Sequence, residues 1–258
     1  LVRPLGEGAW ECLVRGVGRG KSEVSVAVGD YPASLGRSGA SWTIAFDSAK
    51  SSGEALKKHG KMPLPPYIKR NGADNRVDYE RYQTVYAEKT GSIAAPTAGF
   101  HFSRELLEQI GSKGVDIIRI TLHIGTGTFA LIHSDEVEEH RMHGESYELD
   151  EASRALIAKA RAAGRRIVAC GTSAVRTLET VFSEGGNGSL SGKTELFIYP
   201  GYHFRVVGAL ITNFHLPRST PLMLAAAFMG REGLQSAYRE AINEGYRFYS
   251  YGDAMFIA

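Results

Sequence analysis

Ile167-Val168-Ala169-Cys170-Gly171-Thr172-Ser173-Ala174-Val175-Arg176-Thr177-Leu178-Glu179-Thr180 is the stretch on which the fold turns. A short apolar run from Ile167 to Cys170 reads as a buried strand, and the pattern from Ser173 to Phe182 as a helix. Between them lies a Gly-Thr-Ser turn. In open α/β sheets ligands gather outside the carboxyl ends of strands. A helix N-terminus there offers unpaired N–H groups and partial positive charge, which suit a carboxylate or phosphate. Arg176, one turn in, could add a charged fork, and Glu179 follows three residues later. The plain alternative is a Thr/Ser cap with an Arg176–Glu179 surface pair.

Working outward, the neighbouring segments alternate strand and helix. Ser103 and Asp150 stand where helix caps belong. The first helix carries Leu106, Leu107 and Ile110 on one face; the second carries Ala152, Leu156, Ala160 and Ala163. Strands are expected at 115–122, 196–199 and 204–212, and helices at 220–229 and 233–243. The expected class is α/β, a large domain of mixed or mostly parallel sheet with helices on its faces. Residues 1–50 differ. Short apolar runs at 10–14, 23–28 and 42–46 are punctuated by glycines and read as a small antiparallel sheet or part of a barrel. A short helix is expected at 51–59. Met62-Pro63-Leu64-Pro65-Pro66-Tyr67 forces an extended path, so the boundary is placed near residue 60: 1–59 small and β-rich, 60–258 large.

The chain has 258 residues, 43% of them hydrophobic and 22% charged, with a formal net charge of +2. Residues 1–76 hold 12 Lys/Arg against 7 Asp/Glu, a modest basic bias that could face phosphates. Two cysteines in unrelated contexts argue against a disulfide framework or thiolate metal site and for a reducing, cytoplasmic setting. No apolar run is long enough to span a membrane, and no signal-peptide pattern opens the chain, which starts at Leu1.

Leu122-His123-Ile124-Gly125-Thr126-Gly127-Thr128-Phe129 is a strand ending in a Gly-Thr-Gly-Thr loop, which lets backbone approach a ligand. It is neither a Walker loop nor a dinucleotide fingerprint. His140 and His143, with Glu145 after them, could put two imidazoles on one helical face, but nothing completes a zinc signature, so no metal is expected. Histidine suits acid–base work better. Asn213-Phe214-His215-Leu216-Pro217-Arg218-Ser219-Thr220 again delivers polar residues to a helix start. The aromatic run Tyr246 to Asp253 could stack on a base with Arg247 against a phosphate, or pack as a core strand.

In this order the segments 62–70, 82–86, 94–102, 122–129, 140–145, 171–179, 199–202, 212–220 and 246–255 resemble the S-adenosylmethionine:tRNA ribosyltransferase-isomerases, which form epoxyqueuosine in tRNA. The resemblance covers residues 60–258 almost continuously; residues 1–59 match loosely, as the later part of the family's small β-rich domain. Family members carry a further N-terminal stretch, so Leu1 is expected to begin inside that domain.

The resemblance implies transfer of the ribosyl group of S-adenosylmethionine to a 7-aminomethyl-7-deazaguanine at the tRNA wobble position, with adenine and methionine leaving. The cosubstrate replaces any prosthetic group, and the partners are tRNA and S-adenosylmethionine, with a monomer as the default state. His101, His143 and His215 are then the acid–base candidates, with Glu145 as partner or alternative base. Gly171, Thr172, Ser173 and Arg176 would hold a carboxylate. His123, Thr126, Gly127, Thr128 and Asn213 would line the nucleoside site, and Asp253 would bind ribose hydroxyls or the amine. Lys69, Arg70 and Arg247 would meet RNA. A catalytically impaired tRNA-binding protein and an RNA methyltransferase are the alternatives.

Overall fold

The structure is a computed structural model that describes the chain except residues 19, 40, 66, 70–75, 126–130, 133, 135 and 184–187, with the backbone alone at 76. Backbone contacts divide it into two compact units: Leu1–Arg76 with Gly91–Ile93, and Val77–Thr90 with Ala94–Ala258. The first extends past the Pro-rich stretch where the composition changes.

The first unit holds β1 (Arg3–Gly6), β2 (Ala9–Cys12), β3 (Glu23–Val28), β4 (Tyr31–Ser38), β5 (Ser41–Phe46) and α1 (Ala49–His59). The strands form one antiparallel sheet in the order β1-β2-β5-β4-β3. Among the described residues β1 and β3 do not pair, so the sheet is open rather than a closed barrel. Along β3 exposure alternates strictly, with Val24, Val26 and Val28 turned inward. Strand β4 was not expected, because Pro32 and Gly36 read as turn residues; Pro32 sits opposite Ala27 near the strand's start. The Trp10 indole N–H donates to Ser52 Oγ at 2.7 Å and ties α1 to the sheet.

The second unit adds α2 (Arg76–Arg81), α3 (Arg104–Ser112), β6 (Thr121–His123), β7 (Glu145–Glu148), α4 (Glu151–Ala162), β8 (Val168–Cys170), α5 (Thr172–Val181), β9 (Ser191–Thr194), β10 (Ala209–Asn213), α6 (Thr220–Met229), α7 (Arg231–Asn243) and β11 (Ala254–Ile257). This is the α/β arrangement expected, but the described sheets are mixed rather than mostly parallel. One sheet runs β11-β10-β8, with β10 parallel to β8 and antiparallel to β11; the other, β6-β7-β9, is antiparallel throughout. Helices α5 and α6 lend Val175, Leu178, Val181, Leu224 and Ala225 to the core that covers Ala169, Leu210 and Met255. Opposite strand neighbours share a face, so the other side of this sheet carries Val168 and Phe256, both exposed.

The caps formed as read. Ser103 accepts from Leu106 N–H at 3.2 Å and Asp150 from Ser153 N–H at 2.7 Å. The faces did not. Helix α3 buries none of its residues, and α4 buries Ile157 while its neighbour Leu156 is exposed. Residues 115–120 are not in a ladder: Ile118 and Ile120 pack on the core while Val115 and Ile117 face outward, so they satisfy period-two patterning without a partner strand. Residues 204–208 also precede the ladder, which starts at Ala209. The expected strand at 196–199 did not form: β9 ends at Thr194.

Candidate active site

Helix α5 is buried from Ser173 to Glu179 and again at Val181, so Arg176 and Glu179 are not a surface pair. Each has separate partners. Arg176 Nε donates to Leu196 O at 2.8 Å, and Nη2 donates to Thr194 O at 2.9 Å and His143 O at 3.3 Å. Nη1 lies 2.9 Å from Glu145 Oε2, both side chains being about as buried as the core, 6% and 7% exposed. Burial pulls the guanidinium's pKa down, and the Glu145 charge opposes that. Arg176 thus takes the carbonyls of Thr194 and Leu196 where β9 ends, with β7 beginning at Glu145 opposite Thr194. Glu179 instead accepts the backbone N–H groups of Arg205, Val206 and Val207 at 2.9–3.0 Å, and the Tyr202 hydroxyl at 3.2 Å. It fixes the approach to β10.

The turn into α5 has Gly171 at the N-cap with φ +92° and ψ 148°, a conformation open to glycine and costly for other residues. No side chain caps this helix, so its first N–H groups are left for other acceptors. Thr172, Ser173, Arg176, Glu145, His143, Met142, Leu196, Phe197, Ile198, Thr220, Pro221 and Leu224 line one narrow cleft. Its enclosed part, about 20 Å³, has room for roughly one water molecule. The starts of α5 and α6 both contribute, with Ser219 already capping α6 through Leu222 N–H at 3.4 Å.

A second cluster forms at the carboxyl end of β10, next to the first because Gly171 N–H donates to Ile211 O at 2.9 Å. Thr97–His101 is a turn of 3-10 helix. Thr97 Oγ1 donates to Asn213 Oδ1 at 2.8 Å, and Asn213 Nδ2 lies 3.0 Å from His101 Nε2. Burial lowers the pKa of His101; Asp253 raises it and Arg247 lowers it. Beneath this turn, a Cβ at Gly99 would stand 2.1 Å from Tyr86 Oη, so only glycine lets Tyr86 reach in. The Tyr86 hydroxyl bonds the Cys170 thiol, whose pKa is pushed up to about 11 by burial.

His215 is half-buried. Its Nε2 lies 2.7 Å from Thr212 Oγ1, its backbone N–H donates to Tyr238 Oη at 2.7 Å, and burial drives its pKa down to about 4. The 246–253 run is neither strand nor exposed platform. Phe248 stacks 4.9 Å from Phe214, and Tyr249 has φ +72° with its N–H on Phe214 O. Asp253 closes the loop: it accepts from Arg247 N at 2.7 Å and Arg247 Nη2 at 2.9 Å, which holds its carboxyl below the usual range. Arg247 and Asp253 thus engage each other.

Of the other residues singled out, His123 on β6 is 3.9 Å from Glu148, away from both clusters in its hydrogen bonding. Lys69 is exposed in the first unit. Arg70, Thr126, Gly127 and Thr128 lie outside the described residues. His140 and His143 do not share a helical face, since 140–144 is not helical; His140 packs on Phe197 at 5.2 Å while His143 lines the cleft. Among the described residues no three His, Cys, Asp or Glu side chains converge as a metal site. Thr97, Tyr86 and Thr212 were missed, although they stand in the segments 94–102, 82–86 and 212–220; nothing in their residue types marks them.

The family model described as "Queuosine biosynthesis protein" matches residues 1–257. The chain belongs to this family. Among queuosine biosynthesis relatives, the S-adenosylmethionine:tRNA ribosyltransferase-isomerase of Trichlorobacter lovleyi is 44% identical over 263 residues, covering all of this chain and 76% of that protein. The one from Geobacter metallireducens is 47% identical over 252 residues, covering 96% and 73%. The crystal structure of an S-adenosylmethionine tRNA ribosyltransferase from Thermotoga maritima is 34% identical with a TM-score of 0.53, over 100% of this chain and 73% of that one. The queuosine biosynthesis family therefore accounts for the whole chain, both units included. Among the described residues no helix is long and apolar enough to cross a membrane.

Proposed function

We propose that this chain transfers the ribosyl group of S-adenosylmethionine to the aminomethyl group of a 7-deazaguanine at the tRNA wobble position, isomerises it to the epoxycyclopentanediol and releases adenine and methionine. Family membership over nearly the full chain carries the reading, together with relatives named for that reaction. The two clusters at neighbouring strand ends supply chemistry of the right kind.

The reaction needs a base for a hydrogen made acidic by the adjacent sulfonium, a donor for departing adenine and a site for methionine's carboxylate. Glu145 and His143, lining the cleft, are the base pair of this reading. The substrate sits over the cleft mouth, since the slot itself admits about one water. The open N–H groups at Thr172 and Ser173 suit a carboxylate. Arg176 serves this site by fixing Glu145 rather than by binding substrate, because its guanidinium is already engaged by Glu145 and three carbonyls. Asp253 and Arg247, held to each other, shape the loop beside His101. Lys69 and the basic first region contact tRNA phosphate, in a cytoplasmic setting.

Adenine release from S-adenosylmethionine with precursor tRNA tests the activity. Glu145→Gln and His143→Ala are expected to lower it by about 10²-fold, the usual contribution of a positioned acid or base. Near-normal turnover by both variants sinks the base assignment. With a methyl-labelled cosubstrate, label appearing in methionine supports ribosyl transfer, and label on the RNA overturns it.

A further inference from the structure

We propose that Tyr82 is a positioning residue: with Phe100 and Tyr251 it forms a three-ring wedge that fixes how the Asp253 carboxylate stands relative to His101. This rests on the reading of His101 as a site residue and deepens it.

The two partners come from distant parts of the chain. His101 ends the 3-10 turn Thr97–His101, and Phe100 is the residue before it. Asp253 closes the 246–253 loop, and Tyr251 stands two residues before it. Tyr82 lies just after α2 and meets both. Its ring is 5.3 Å from Phe100 at 68° and 5.6 Å from Tyr251 at 80°, while Phe100 and Tyr251 are 6.2 Å apart. Edge-to-face contacts of this kind are directional, so the rings resist sliding as well as separation. Tyr82 is 1% exposed, among the largest fully buried side chains described. A ring packed that closely has little room to shift.

Hydrogen bonds hold the wedge on both sides. The Tyr251 hydroxyl donates to Asp78 Oδ1 at 2.9 Å, and Asp78 is itself buried. The backbone carbonyl of Asp78 accepts from the Tyr82 N–H at 2.8 Å, so one residue ties both rings. The Tyr82 hydroxyl lies 3.3 Å from Ser250 Oγ, on the same loop as Tyr251. Toward the 3-10 turn, the chain continues beneath Gly99, where an added Cβ would stand 2.6 Å from Thr84 Cγ2. Residues 78–86 are thus fastened to the loop at one end and to the turn at the other.

The consequence is electrostatic. The charged groups acting on His101 are Asp253, which favours the imidazolium, and Arg247, which opposes it; on the β10 side the ring meets the neutral Asn213 at 3.0 Å. Both charges ride on the loop that Tyr251 anchors, and their effect on the ring falls with distance. The wedge sets how strongly a proton on His101 feels Asp253, and with it the fitness of the ring as an acid or base.

NMR titration of the imidazole ¹H and ¹³C signals measures the His101 pKa, with His101→Gln identifying the signals by their loss. Asp253→Asn is expected to lower that pKa, since the charge that raises it is gone. In a Tyr82→Leu background the same substitution is expected to lower it by about half as much or less. Tyr82→Phe keeps the ring and is expected to retain the full effect. For adenine release, Tyr82→Leu should reduce kcat about tenfold with KM little changed, and Tyr82→Phe should recover it. An undiminished effect of Asp253→Asn in a folded Tyr82→Leu chain overturns the proposal. So does the absence of any effect in the otherwise unmodified chain, which leaves nothing for the wedge to position. If Tyr82→Leu does not fold, Tyr251→Leu, at a half-buried position, takes its place with the same two outcomes. The titration needs no substrate, so a chain that releases no adenine would sink the ribosyl-transfer reading while the coupling still decides the wedge.

Discussion

The carboxyl ends of β8 and β10 are neighbours in one sheet, yet they treat polar groups in opposite ways. At the end of β8 the chain buries full charges. Arg176 and Glu145 pair inside the protein, and the guanidinium also braces three carbonyls. At the end of β10 the polar groups are neutral and partly buried: Thr97, Asn213 and His101 form one relay, and Thr212 with His215 another. A buried charge without its partner is costly, so the β8 end is fixed by its own electrostatics. A neutral relay can reverse direction at modest cost, because a hydroxyl both donates and accepts. The sheet thus sets a rigid clamp beside an adjustable hydrogen-bond chain.

The strongest way to break this contrast is Arg176→Met. It removes the buried cation that pairs with Glu145, and a loss of about 3–5 kcal/mol in unfolding free energy is expected from denaturant titration. Adding Glu145→Gln should recover a substantial part, because the buried carboxylate charge is gone. If the double variant is as unstable as the single one, the pair is not what holds this end. Next in size is Gly171→Ala. The nearest atom to an added Cβ is Ala98 Cβ at 3.8 Å, so space is available and only backbone strain is felt. The expected cost is about 1–3 kcal/mol, with the cleft side affected before the β10 side. A cost near zero would mean the turn is free to relax.

The third test is a pH dependence at the β10 end, read as a slope. The pKa of His215 is lowered to about 4 by burial, below the ordinary 6.5 of an unfolded chain. Protons then bind the unfolded state more tightly, so stability from this group is intact above about pH 6.5 and is lost as pH falls toward about 4. The slope in that window is at most about 1.4 kcal/mol per pH unit. His215→Asn should flatten it in urea melts at several pH values; an unaltered slope would show that the ring is not the group responsible.

How much of this was legible varied by element. Caps at Ser103, Asp150 and Ser219 and the helices they start were readable, because a cap bonds to N–H groups three residues away in the same chain. Strand β4 was not, since its Pro32 and Gly36 carry turn chemistry and only the ladder with β3 and β5 overrides it. The segment 196–199 has a strand's composition but gives its carbonyl at Leu196 to Arg176, a residue twenty positions earlier. In the site, the Gly171 turn, His101, His143 and Glu145 stood out by residue type and position at strand ends. Thr97, Tyr86 and the engagement of Arg176 did not.

The sequence by itself determined the alternation of short strands and capped helices, the Gly171 strand-to-helix junction and, through its ordered motifs, the family. Those features are set by local bonding, by side-chain period and by the succession of residues along the chain. Only the tertiary structure decided which partners the charged groups take. Arg176 reads the same in the sequence whether it is a binder or a brace, and the difference lies in carbonyls and a carboxylate that come from residues 143–145 and 194–196. The contact between His101 and Asn213 likewise joins residues 112 positions apart. Hydrogen bonds across that separation have no local signature, because what selects the partner is the folded backbone that carries it.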